Sequence, residues 1–373
     1  MGTAAMLQGA WQDVGFSFDT DDSELAAYAQ MHMAPLIRSL SKGAVVKSRL
    51  AWVDGQPWPR DRWHVQDAHW VRVDRDLYLS DHELRWFRVD DLRDLVLQVR
   101  FPEPSGVEVT GTFFFRLGNT TWTDRLRRWT LKGRVARFRQ RRFSTLVSYL
   151  VYYPLWWVVE TTRGWHPIHA GAVHTPEGGV LLAGASGVGK STLAVALAAE
   201  PGNCLLSDSF VVHTGTMAFS VPEPILLDES ARAWLGTRLQ IVAGFQHPYV
   251  LDRVGHHVMS EKSAAMTEVR LLLFPQRGPR WDCVPMSAEQ AWRRLSAANL
   301  MVNDLRRYFA LAAAWEQVSP QGLVVSREQN LRVLAEATPS YVLQVPPGMA
   351  AEEVVVRIMT LLQRVSQQQG IAR

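Results

Sequence analysis

The sequence predicts a two-domain chain in which a smaller β-rich α+β domain precedes an α/β domain built around a phosphate-binding loop. Three observations predict this. The chain runs to 373 residues, longer than one ordinary hydrophobic core supports, and its composition (47% hydrophobic, 20% charged) is that of an ordered globular protein. Between Val45 and Phe115 short extended runs alternate with turn clusters. Beyond Trp165 the pattern becomes strand, loop, helix, strand.

The opening segment, MGTAAMLQGAWQDVGF, has neither a basic n-region nor a sustained apolar stretch, so no secretory signal is expected. Gly2 is followed by Met6 where myristoylation wants Ser or Thr. The runs VVKSRLAWV, HWVRV, LYL, LVLQVRF and VEVTGTFFF are broken by DGQPWPRD, DRD and PEPSG, which reads as an antiparallel β-rich region. A basic segment follows. Asp124 to Phe143 holds nine Lys/Arg and one acid, a local +8 within a chain of net +4, leaving about −4 elsewhere. Leu126, Trp129, Val135 and Phe138 recur there at helical spacing, weakened by Gly133. Such a stripe can attract phosphate, an acidic protein or an anionic lipid surface, and the solvated face of a helix is the preferred reading.

The apolar run from Ser144 to Glu160 (STLVSYLVYYPLWWVVE) is short of the roughly 20 residues that span a bilayer, and Pro154 interrupts it. A buried helix linking two domains is expected, with a membrane-interface element as the minority alternative. The predicted organisation is therefore residues 1–145 as the β-rich domain, 146–164 as an apolar linker helix and 165–373 as the α/β domain.

Within the α/β domain, Ile168–Val173 and Gly179–Ala183 read as strands, Lys190–Ala199 as a helix and Asn203–Ser207 as the next strand. Further strands are expected at Val269–Phe274 and Tyr341–Val345. Ser287 to Gln290 forms a capping box, and an amphipathic helix runs from Gly348 to the end. Cys204 and Cys283 are far apart and in no C-x-x-C pair, so neither a disulfide framework nor a zinc site is expected, and a reducing cytoplasm fits best.

The run VLLAGASGVGKSTLAVAL satisfies G-x-x-x-x-G-K-S/T, with an apolar strand before it and a helix-forming run after it. Glycines in such a loop let successive N–H groups converge on phosphate oxygens at the positive end of a helix. The predicted phosphate cradle is Gly184, Ala185, Ser186, Gly187, Val188, Gly189, Lys190, Ser191 and Thr192. Lys190 would reach the β- and γ-phosphates, and Ser191 would offer its hydroxyl to Mg²⁺. This pattern binds a nucleoside triphosphate without fixing the reaction or the base.

Two residues narrow the reaction. His169 lies in IHAGAV, 15 residues before Gly184, and Asp208 ends the strand CLLSD, 18 residues after Lys190. If the strand after the loop helix lies beside the loop strand in a parallel sheet, its C-terminal end carries Asp208 to the Mg²⁺. Together with the GASGVGKST loop and the strand LLSDSFVV, the segment from His169 to Val173 resembles the HPr kinase/phosphorylase group and its relatives in peptide-tailoring pathways. The resemblance covers roughly residues 165–215 and, more weakly, the rest of the chain. It implies an α/β P-loop kinase domain of the HPr kinase/PEP carboxykinase-like kind, acting with ATP and Mg²⁺ on a serine-type hydroxyl of a peptide or protein. His169, Asp208 and Lys190 would be its catalytic residues, and Ser191 and Asp208 its metal ligands. The family commonly carries two acids at this strand end, whereas Ser209 follows Asp208 here. The family's second signature region is not found, so neither phosphorolysis nor HPr as acceptor is expected. A homo-oligomer stays open.

A further cation beyond the γ-phosphate is expected from Arg232, Arg238, Arg253 or Lys262. The adjacent His256 and His257 do not make a metal site alone. The competing reading is an NTP-dependent regulatory ATPase or switch in which water replaces the acceptor; a Glu or Gln able to position water would favour it, and none adjoins Asp208 in sequence. A nucleic-acid or membrane-surface module using the stripe from Arg125 to Arg142 ranks third, because Trp129 and Phe138 fall on one helical face.

Overall fold

The computed structural model describes residues 5–40, 43–55, 69–89, 92–102, 106–115, 134–229, 245–246 and 253–371. The chain divides into two compact units, Met1–Arg163 with Arg307–Gly322, and Gly164–Arg306 with Leu323–Arg373.

In the first unit, β1 (Ala5–Trp11) and β2 (Val14–Thr20) form a hairpin. Helix α1 (Ser23–His32) begins at Asp22, whose carboxylate accepts the Leu25 N–H at 2.8 Å, and leads to β3 (Val46–Asp54), parallel to β2. A meander follows of β4 (Val71–Asp74), β5 (Leu77–Leu79), β6 (Glu83–Val89), β7 (Leu92–Arg100) and β8 (Val107–Phe115). The sheet order is β1-β2-β3-β8-β7-β6-β5-β4. It is mixed rather than antiparallel throughout, because β8 returns to pair parallel with β3 across a long intervening segment instead of through a tight hairpin. Along β3, Val46, Ser48, Leu50 and Trp52 point inward and Lys47 and Arg49 outward, the two-residue period of a half-buried strand.

One helical stretch crosses from the basic segment into the apolar run: α2 (Arg134–Val147), a π turn over Ser148–Tyr152, and α3 (Tyr153–Arg163). The π turn has a visible cause. Pro154 has no N–H to offer the Leu150 carbonyl one turn back, and the Ser48 hydroxyl donates to that carbonyl instead. Tyr149 through Glu160 are all buried, and Trp157 meets Trp315 edge-on at 5.3 Å between ring centres. The apolar run is thus a core helix of the first unit rather than a linker, and 307–322 belongs with it rather than with the α/β part. Among the described residues, no helix is long and apolar enough to cross a membrane. In the basic segment, Arg139 donates to Asp54 at 2.7 Å and to Asp22, lies 3.3 Å from Glu24 and sits over the Trp52 ring at 4.4 Å. That cation is neutralised inside the unit. Residues 116–133 and the side chains of Arg134 and Arg137 lie outside the described residues.

The second unit is mixed α/β with a central sheet. Strands β9 (His166–Ile168), β10 (Ala170–Thr175), β11 (Gly178–Ala183), β12 (Cys204–Ser207), β13 (Val211–His213), β14 (Met217–Ser220) and β18 (Met266–Arg277) are arranged β12-β10-β11-β18-β14-β13-β9. A side sheet consists of β15 (Ile225–Asp228), β16 (Phe245–Gln246) and β17 (Arg253–His256). β19 (Asp282–Met286) pairs with β20 (Ser340–Val345), which runs parallel to β18. The helices are α4 (Lys190–Ala199), α5 (Ala288–Met301), α6 (Asn303–Glu316, shared with the first unit), α7 (Leu323–Ala337) and α8 (Ala351–Ile371). Alternation along the strands splits the core into two layers. Val180, Leu182, Leu271 and Leu273 join residues of α4 and α8, while Leu181, Ala183, Leu272 and Phe274 join residues of α5 and α7. Burying both faces of β11 and β18 explains why they read as continuous apolar runs.

Candidate active site

The loop after β11 is shaped by its glycines. Gly184, Gly187 and Gly189 take φ of 135°, 82° and 94°, conformations that side-chain-bearing residues avoid. A Cβ on Gly187 or Gly189 would meet nothing within 4 Å, so backbone conformation and not crowding requires glycine there. Gly189 is the left-handed N-cap of α4 and provides no capping side chain, which leaves the first amides of the helix available to an anion. Ser186, Gly187 and Thr192 are exposed, Ala185, Val188 and Ser191 are half-buried, and Lys190 is 5% exposed.

The Lys190 ammonium donates to the carbonyls of Gly184 and Ala185, each at 2.9 Å. Burial pulls its pKa down to about 8, against the opposing pull of the Asp208 charge. A buried ammonium held by two main-chain carbonyls gains from any anion brought to the loop.

Asp208 follows β12 and is buried. The turn holding it is fixed by the Ser207 hydroxyl, which accepts the N–H groups of Ser209 and Phe210 at 3.3 and 3.2 Å. The Ser191 hydroxyl donates to the Asp208 main-chain carbonyl at 3.2 Å, joining the start of α4 to this strand end. The neighbourhood differs from the sequence expectation in one respect. β12 does not lie beside β11; β10 stands between them, antiparallel to both, so β12 remains parallel to the loop strand at one remove. Gly171 makes the approach possible, since a Cβ there would lie 3.1 Å from the Ala194 Cβ and 3.2 Å from the Asp208 carbonyl oxygen.

His169 occupies a break in the predicted strand, between β9, which pairs with β13, and β10, which pairs with β11 and β12. Its N–H donates to Asn299 Oδ1 at 3.0 Å and its ring lies 5.2 Å from Phe210. The residue is 8% exposed and both ring nitrogens lack a hydrogen-bond partner among the described residues. Burial first and the Lys190 charge second hold its pKa at about 3, so the ring is neutral at physiological pH; the Ser209 backbone favours the cation but does not reach hydrogen-bond geometry with either ring nitrogen.

Two acids join the site that sequence reading missed. Glu223, in the Pro222–Pro224 segment after β14, and Asp304, in the first turn of α6, interact electrostatically, and Glu223 also interacts with Asp208. Glu223 keeps some exposed surface as a residue, but its carboxyl is enclosed; burial, then Asp304, then Asp208 push its pKa up to about 8. Glu223 is therefore a carboxylic acid at neutral pH. Among the described residues, no group of three or more His, Cys, Asp or Glu is arranged to hold a metal.

The cation expected beyond the γ-phosphate is not supplied by Lys262. Its ammonium donates to the carbonyls of Ala198, Glu200 and Asn203 at 3.2, 2.8 and 3.3 Å, closing the far end of α4. Arg232, Arg238 and the side chain of Arg253 lie outside the described residues, and His256 is buried in β17.

No protein-family model matches this chain, and no curated protein matches it.

Proposed function

We propose that the chain is an ATP-dependent kinase that phosphorylates a serine-type hydroxyl on a peptide or protein, such as a natural-product precursor peptide, in a cytoplasmic setting. The observation that carries this reading is the hydrogen bond from Ser191 to the Asp208 main chain, which unites the loop helix and the acid-bearing strand end in one site. The residues fit the cofactors. The loop amides and Lys190 suit β- and γ-phosphates, and the Ser191 hydroxyl with the Asp208 carboxylate suits Mg²⁺, which keeps most of its waters and takes few protein ligands. Bound Mg·ATP would supply the phosphoryl group and spread its charge.

Within that site Lys190 exchanges loop carbonyls for phosphate oxygens. Asp208 orients the acceptor hydroxyl and takes its proton. Neutral His169 offers one donor and one acceptor nitrogen, enough to hold a phosphate oxygen or steady Asp208. Protonated Glu223 keeps a second negative charge away from Asp208 and the incoming phosphates.

One observation favours the regulatory ATPase reading instead: a glutamate does stand near Asp208, where it can position water. The two readings separate on product. With γ-labelled ATP and a cell-extract acceptor pool, the kinase reading expects label on an acid-stable phosphoserine-type product, lost in Lys190→Ala and Asp208→Asn. Label appearing only as free phosphate, or full activity in Asp208→Asn, would replace it with the ATPase reading.

A further inference from the structure

The first unit contains a cleft remote in sequence from the phosphate loop. One lobe, about 360 Å³, is walled by Phe101 and Pro102 after β7 and by Trp157 and Val158 of α3. A second lobe, about 660 Å³, shares Asp81, His82, Phe101 and Pro102 with the first and extends to Glu83, Arg100 and Glu108. The aromatic wall is braced, because Phe101 lies 5.8 Å from both Trp157 and Trp315, which pack edge-on against each other.

The polar lining includes His69, His82, Ser319 and Gln321, together with hydroxyls and carboxylates that act as acceptors. The hydroxyls of Thr161 and Thr162 donate backward to α3 carbonyls, at 2.9 Å to Trp157 and 2.6 Å to Val158, so only their lone pairs face outward bonding. The Ser80 hydroxyl is likewise committed to the Glu83 carbonyl at 3.3 Å. Among the described residues, Asp81, Glu83 and Glu108 outnumber Arg100 in the lining of the two lobes, three against one, in a chain of net +4. Glu108 pairs with Lys47 at 3.1 Å, and Glu83 with Arg100 at 3.4 Å and Arg85 at 3.7 Å, whereas exposed Asp81 has no ion-pair partner among the described residues.

We propose that this cleft binds an arginine side chain of a peptide segment. A guanidinium has five N–H donors and no acceptor, matching the lone pairs of Thr161, Thr162 and Ser80, and its plane can lie against Phe101 while an edge meets Asp81. The apolar wall takes the methylene stem. A net-positive protein disfavours indiscriminate capture of basic peptides, and with Glu83 and Glu108 already paired to cations the Asp81 carboxylate supplies the selectivity.

The test is calorimetric titration of the full chain with a short capped peptide containing one arginine, beside its citrulline counterpart, which keeps the shape and loses the charge. The arginine peptide should bind saturably and citrulline at least about tenfold more weakly. Asp81→Asn should weaken the arginine peptide about two- to fivefold, while Asp74→Asn on β4 leaves it unchanged. Equal binding of the two peptides, no saturable binding of either, or equal effects of the two aspartate substitutions would overturn the proposal.

Discussion

Replacing Lys190 with methionine should make the nucleotide-free protein slightly more stable while abolishing nucleotide binding. The Lys190 pKa falls from 10.5 to about 8, a gap of about 2.5, and at about 1.4 kcal/mol per unit the buried charge costs roughly 3 kcal/mol at pH 7. Methionine fills similar volume without the charge but gives up two hydrogen bonds to Gly184 and Ala185, each contributing about 1 kcal/mol. The net gain is about 1 kcal/mol, or roughly 2–4 °C in the melting of the second unit. The sign is checkable through pH. Between about 8 and 10.5 the unfolded chain holds a proton that the folded chain has lost, so wild-type stability rises through that window, whereas below 8 the penalty is complete. Thermal unfolding of wild type and Lys190→Met at pH 7, 8.5 and 10 should therefore show the variant ahead at pH 7 and its lead lost by pH 10. Mg·ATP should raise the melting temperature of wild type alone. A variant less stable than wild type at pH 7, with a gap independent of pH, would instead make Lys190 a satisfied structural cation.

Three other substitutions probe the surroundings. Lys262→Ala removes the closure of the α4 C-terminus and should cost about 1–2 kcal/mol in urea unfolding, with Mg·ATP affinity held within about twofold; a large loss of affinity would return Lys262 to the phosphates. Gly171→Ala forces the Asp208 turn and α4 apart, and should cost about 1–3 kcal/mol while lowering turnover more than nucleotide affinity. Glu223 carries a raised pKa, so its contribution to stability is complete below about 4.5 and is lost as pH rises through about 8. Unfolding at pH 5, 6.5 and 8 should show wild type weakening with pH by up to a few kcal/mol relative to Glu223→Gln; parallel profiles would contradict the enclosed carboxyl.

What the sequence reveals here is what is local. The loop glycines, Lys190 and Ser191 are contiguous, and α4 spans Lys190–Ala199 because a helix-forming run begins where the glycines stop. The Ser287–Gln290 capping box is closed in both directions for the same reason. Non-local pairing was not legible. Nothing in the order of strands announces that β10 separates β11 from β12, or that β8 meets β3 in parallel. Glu223 and Asp304 carry no motif, sit 15 and 96 residues beyond Asp208, and come to the site only through the ends of β14 and α6. The apolar run around Pro154 announces burial without naming the partner, and its partner proved to be the sheet and the distant 307–322 segment of the same unit. Lys262 illustrates the converse, a cation assigned by proximity in sequence that the carbonyls of α4 had already claimed.

The most direct test of the central claim is a calorimetric titration of the full chain with ATP, ADP and AMP in the presence of Mg²⁺. A loop that grips β- and γ-phosphates predicts saturable binding of ATP and ADP, AMP weaker by at least about a hundredfold, and loss of ATP binding in Lys190→Met. Equal binding of all three nucleotides, or ATP binding that survives Lys190→Met undiminished, would contradict it.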